Sequence, residues 1–325
     1  MPQLDLFETA EPPLMPQAAR LAPKLRALAE RGVHFGTSSW KYPGWLGTIY
    51  TPERYQTRGK FSQKLFDATC LQEYARVFPV VGGDFSFYQF PSRDYWARLF
   101  DETPETLLFA LKVPEEITVP VWPGHARYGD RAGKANEHFL DVGIYKRLFA
   151  DMLRPYAHRV AVLMLEFGTY AKRTFATPDA FLDELAPFLA GLPEGFRHAV
   201  EIRNPELLRE HRYFDTLAAS EVAHVFNAWT RMPTLADQVA IPEAFTADFT
   251  VSRALLQKGR SYEKAVELFE PYERIQEPDT AGRQALGYLA ERALERKKPA
   301  FLLVNNRYEG HAPSTIEAIA DAFEL

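Results

Sequence analysis

The chain has 325 residues, 46% of them hydrophobic, enough for one large barrel or two ordinary domains around a sizeable core. A net charge of −5 and a pI near 6.0 speak against tight, sequence-independent binding to nucleic acid, which needs a strong excess of Lys and Arg, while leaving room for a local basic pocket. One cysteine, Cys70, excludes an internal disulfide and a Cys-rich metal site and points to a reducing, cytoplasmic compartment. No apolar run approaches the ~18 residues that a membrane span requires.

In chain order, MPQLDLFETAEPPLMP opens the sequence without the basic start or long apolar segment of a secretory signal. Its prolines (Pro2, Pro12, Pro13, Pro16) and weak periodicity predict a flexible tail over residues 1–20, with a single domain over 21–325. Leu21, Leu25 and Leu28 then fall at helical spacing. Eight short apolar runs follow: 33–38, 80–85, 107–113, 160–167, 199–203, 222–228, 248–253 and 301–306. Helix-like segments lie between them at 60–77, 92–101, 143–157, 178–190, 205–219, 261–275 and 281–296, with a weak one at 235–240. Eight strands alternating with helices predict a parallel sheet closed into a TIM-type (β/α)8 barrel. The connection from Pro114 to Val142 is rich in Pro, Gly and charge, and a loop of that length after the third strand is expected to be functional and able to cover the barrel mouth.

In such a barrel, sites sit where the strands end. Here the apolar runs end in polar groups: Asp84, Lys112, Glu166, then Glu201 and Arg203 on one face, Asn227, Arg253, and finally Asn305 and Asn306. Three carboxylates and three cations converging on one pocket suit a polar, partly anionic ligand. Arginines grip phosphate or carboxylate in pairs of hydrogen bonds, and Glu166 and Glu201 are candidates for acid–base work. The plainer alternative is that these charges pair with each other and brace the barrel end. Metal binding has little support. No histidine sits in an HxH or HExxH pattern, His198 and His224 have the parity of the helix layer, and only His311 stands near a strand end. A divalent ion on His311 and carboxylates is weakly supported, and no cofactor motif is present.

Five stretches resemble one known family. GTSSWKYPGW (36–45), DFSFYQFPS (84–92), FALKVPEEIT (109–118), VEIRNPELL (200–208) and VNNRYEGHAPST (304–315) match, in order, motifs of the YecE-like family, domain of unknown function 72. The resemblance implies a TIM-barrel fold and a site among these motifs, but no reaction. Asp84 replaces a usual Asn, Glu166 a frequent Gln, and Asn204 a common His, so this chain carries more carboxylate than the pattern.

Residues 3–7, QLDLF, resemble the pentapeptide by which bacterial replication and repair proteins dock on the sliding clamp. Gln3 would take a polar pocket, and Leu4 and Phe7 an apolar cleft. Three functions are therefore expected to compete. The first is an enzyme, a hydrolase or isomerase, acting on a molecule such as a sugar phosphate or nucleotide. The second is a non-catalytic, clamp-tethered accessory protein in DNA replication or repair. The third is a glycosidase, testable by carboxyl separation.

Overall fold

The computed structural model describes residues 12–324. Eight parallel strands close into a barrel: β1 (Val33–Thr37), β2 (Val80–Gly83), β3 (Leu108–Lys112), β4 (Val160–Phe167), β5 (His198–Ile202), β6 (Ala223–Ala228), β7 (Thr250–Ala254) and β8 (Ala300–Val304). β8 returns to pair with β1, Val33 to Thr37 lying opposite Ala300 to Val304. The expected TIM-type barrel is the observed fold.

The alternation of side chains explains why these runs become strands. In β4, Val162 and Met164 belong to the barrel interior, while Leu163, Leu165 and Phe167 join the core beneath the helices. The same split puts Phe301 and Leu303 inside and Leu302 and Val304 outside. A fully buried side chain of this size contributes roughly 1.5–3 kcal/mol. At the β1–β2 seam the space is tighter. A Cβ on Gly36 would stand 1.9 Å from the Val80 carbonyl oxygen, so only glycine lets the two strands close there.

The helices depart from expectation where proline or packing intervenes. The segment expected as one helix over 143–157 is a chain of short turns, Val142–Tyr145, a π-type turn Lys146–Ala150, Asp151–Leu153 and the 3₁₀ stretch Arg154–Arg159. Pro155 supplies no N–H, and Tyr156 leaves helical geometry. The helix expected over 261–275 ends at Phe269, because Pro271 forces Glu270 into an extended conformation. The first helix, Pro16–Glu30, begins inside the expected tail. Proline is well suited to its first turn, and Ala18, Leu21, Leu25 and Leu28 are buried against the barrel. Pro16 to Arg20 thus belong to the folded body. Gln3, Leu4 and Phe7 lie outside the described residues.

The long connection after β3 is folded. Leu140 N–H donates to the Ile117 carbonyl at 2.9 Å and closes it, the Tyr128 hydroxyl donates to buried Glu115 at 2.8 Å, and Asn136 Nδ2 donates to two carbonyls inside it. It packs against the turn after β2 and the end of β4, through Glu115 N–H to the Phe87 carbonyl and through the rings of Phe139 and Phe167. Among the described residues no helix is long and apolar enough to cross a membrane.

A charged cluster at the barrel mouth

The inward parity that carries apolar residues through the barrel ends, at the C-terminal mouth, in charge. Ala110 is followed by Lys112, Met164 by Glu166, Ala199 by Glu201 and Val251 by Arg253. Strand register sets some of these at one level. Glu166 lies opposite Glu201, and Asn227 opposite Arg253. Arg203 extends the ladder, its N–H donating to the Phe167 carbonyl at 3.1 Å.

The six charged groups bond to each other. Glu166 Oε2 lies 2.8 Å from Lys112 Nζ and 2.9 Å from a terminal nitrogen of both Arg203 and Arg253. Arg203 also donates to Glu201 Oε1 at 3.1 Å, and Arg253 donates to Glu201 Oε2. Asp84, on the turn after β2, lies 3.1 Å from Lys112 Nζ and 3.3 Å from Arg253. The side chain of Asp84 is 44% exposed, whereas those of Glu166 and Glu201 are 9% and 0% exposed. The cluster is a packed plug with one open carboxylate.

Its electrostatics follow from that packing. Burial alone would raise the Glu166 pKa, but Arg203, Lys112 and Arg253 override burial and hold the carboxyl well below the usual range. Burial would likewise discharge Arg253, yet Glu201, Asp84 and Glu166 hold its pKa above the ordinary value. Glu166 therefore has no proton to give near neutral pH. Arg203 and Arg253 each bridge Glu166 to Glu201.

The other expected site residues are placed differently. Asn227 Nδ2 donates to the Ile202 carbonyl at 3.0 Å, and its Oδ1 is buried with no partner among the described residues. Asn305 Oδ1 accepts from Arg307 N–H at 2.9 Å and caps the one-turn helix Asn306–Glu309. Asn306 Oδ1 accepts from Ala312 N–H at 2.7 Å and pins the next turn. These two asparagines answer the hydrogen-bonding needs of a chain leaving its strand. His311 does not join the cluster. It caps the helix Ala312–Ala320, is hydrogen-bonded to Ser314 Oγ at 2.7 Å, and lies edge-on to Trp45. Burial lowers its pKa to about 4. Among the described residues no group of His, Cys, Asp and Glu is placed to hold a metal ion.

Several contacts escaped the sequence reading. Arg203 lies 3.6 Å over the ring of Trp229, and Lys112 4.8 Å over that of Phe87. Gln238 bonds both the N–H and the carbonyl of Asn227, fixing the end of β6. Trp229 stands two residues beyond Asn227, a parity signal that could have found it. Gln238 carried none, because its partner is backbone. The large cavities also lie elsewhere. One of about 1190 Å³ opens at the N-terminal end of the barrel beside Arg197, Asp248 and Arg292, and one of about 430 Å³ lies beside His311, Gln17 and Glu317.

Comparison with known proteins agrees with this architecture. The family model described as protein of unknown function DUF72 matches residues 34–325. The UPF0759 protein YecE of Escherichia coli K12 is 24% identical over 186 residues, which make up 57% of this chain and 53% of that protein. The chain thus spans about half the length of the curated relatives it matches. Among solved structures, a DUF72 family protein from Enterococcus faecalis V583 aligns with a TM-score of 0.58 at 15% identity, over 90% of this chain and 98% of that one. Another, from Thermotoga maritima MSB8, aligns with a TM-score of 0.58 at 18% identity, over 89% and 98%. At such identities the likeness concerns the fold. With its barrel, its ordered motifs and a family match over nearly the whole domain, the chain belongs to the DUF72 family.

Proposed function

We propose that the barrel mouth is the active site of an enzyme, a hydrolase or isomerase, that takes a polar, partly anionic small molecule such as a sugar phosphate or nucleotide. The observation that carries this reading is Asp84. It alone among the six clustered charges is substantially exposed, and it rests on Lys112 and Arg253. Glu166 and Glu201 then serve to hold the cations, and acid–base work passes to Asp84. The aromatic face of Trp229 beside Arg203 gives a ligand an apolar surface to stack on. A reducing, cytoplasmic setting fits the lone Cys70, which is buried.

The test is a screen of metabolites and short oligonucleotides for thermal stabilisation. A ligand present at 100 times its Kd should add about 2.7 kcal/mol to apparent stability. Asp84→Asn should keep that binding and lose any turnover. A screen without a hit, or hits that bind equally well to Asp84→Ala and Arg203→Leu variants, would remove the mouth from consideration.

A second reading keeps the tail in view. The QLDLF sequence at residues 3–7 supports tethering to a bacterial sliding clamp. Binding to purified clamp should then vanish in a Leu4→Ala, Phe7→Ala double variant, while the melting temperature stays unchanged. Equal binding by both chains, or none by either, would end it.

A further inference from the structure

The six charges of the cluster cancel, three against three, so a ligand anion arriving there meets cations already bonded to carboxylates. Another cation at the same end of the barrel is in a different condition. Arg307 is half-buried on the one-turn helix behind β8, its backbone fixed by Asn305. It forms no ion pair among the described residues. Its guanidinium lies 4.4 Å over the ring of Tyr262. Its charge acts on the hydroxyls of Tyr272 and Tyr42, easing the rise that burial imposes on both, while Asp84 acts on Tyr42 in the opposite sense. The rings of Tyr42 and Tyr272 meet edge-on at 5.5 Å. Segments following β1, β7 and β8, which are neighbours in the barrel, thus gather three tyrosines and a guanidinium without an ion pair among the described residues, at the barrel end that carries Asp84.

We infer that Arg307, with the Tyr272 hydroxyl beside it, binds the phosphate of a phosphomonoester whose polar body lies over Asp84; this deepens the reading of the mouth given above and rests on it. The chemistry favours a phosphate. A guanidinium offers two parallel N–H groups that match two phosphate oxygens, a tyrosine hydroxyl supplies a further donor, and a dianion meets no carboxylate on Arg307 itself. The position agrees with the general habit of TIM barrels, which often seat phosphates on the segments after the seventh and eighth strands. The clustered arginines are poorer candidates, because an incoming anion would have to displace Glu166 or Glu201 from buried contacts.

Calorimetric titration of the full chain with ribose 5-phosphate, ribose and inorganic phosphate tests this. Ribose 5-phosphate should bind the wild type, and inorganic phosphate should compete with it. Arg307→Gln should weaken ribose 5-phosphate roughly 10- to 100-fold, with Arg307→Lys in between. Any heat from ribose should be the same in all three chains. Arg307→Gln should melt within a few degrees of the wild type, since Arg307 loses only its stacking on Tyr262 and makes no ion pair among the described residues, so lost binding would not be lost folding. Equal affinity of ribose 5-phosphate for wild type and Arg307→Gln would assign the anion to Lys112 and Arg203 and overturn the inference. Failure of both phosphates to bind the wild type would overturn it too. The proposed function fails on a separate result, a screen with neutral compounds included that finds no ligand sensitive to Asp84 or Arg203.

Discussion

The two faces of the barrel wall treat buried ionisable groups in opposite ways. On the outer face, His198 and His224 each meet one tyrosine of the helix layer, Tyr145 at 2.7 Å and Tyr213 at 3.0 Å. No carboxylate among the described residues compensates them, and burial drives both pKa values down to about 4, so they are neutral at pH 7. On the inner face, Glu166 is as deeply buried yet stays ionised, because three cations converge on one of its oxygens. Burial sets the cost of a charge, and the number of opposite charges within bonding distance decides whether the group keeps it.

The largest expected effect breaks the inner face. Arg253→Met leaves Asp84, Glu166 and Glu201 without the cation they share, and should cost about 3–5 kcal/mol in urea unfolding at pH 7. Glu201→Gln, which removes one side of two such contacts, should cost a large fraction of that. A loss below about 1 kcal/mol in both variants would mean that the cluster does not brace the barrel.

Acid should separate the two faces in sequence. Both histidines have folded pKa values near 4, against 6.5 for the free group. The unfolded chain therefore gains protons first, and the contribution of each histidine is complete above pH 6.5 and lost as pH falls toward 4. Each withdraws up to roughly 3 kcal/mol over that window. Glu166, held below its ordinary value of 4.5, contributes fully above that pH and loses its contribution only as pH falls further. Imidazole proton shifts followed by NMR should show His198 and His224 untitrated down to about pH 5. A midpoint near 6.5 for either would contradict the account of the outer face.

The smallest effects set the scale. Tyr145→Phe removes the hydroxyl bonded to His198 and should cost about 1 kcal/mol. At the N-terminal end of the barrel, Lys298 and Asp248 form an exposed pair at 2.8 Å, and Lys298→Ala should cost between about 0 and 1 kcal/mol. A larger loss there would undercut the claim that burial distinguishes the mouth from the rest of the surface.

The alternation of apolar and polar residues along each run determined the barrel and most of its charged end. Parity alone puts Lys112, Glu166, Glu201 and Arg253 on the inner face, since successive residues of a strand must point to opposite sides. The same rule places His198 and His224 outside. Beyond the last ladder bond that rule lapses. Asn306 and His311 look like members of the polar end, yet they serve turns and caps, because the chain has changed direction and its free N–H groups need local partners. Only the tertiary structure decided that the six charges would bond to each other, that Asp84 alone among them would remain open, and that Arg307 would have no carboxylate partner among the described residues. Those outcomes depend on distances of a few ångströms between segments far apart in the chain, and residue spacing along the chain carries no record of such distances.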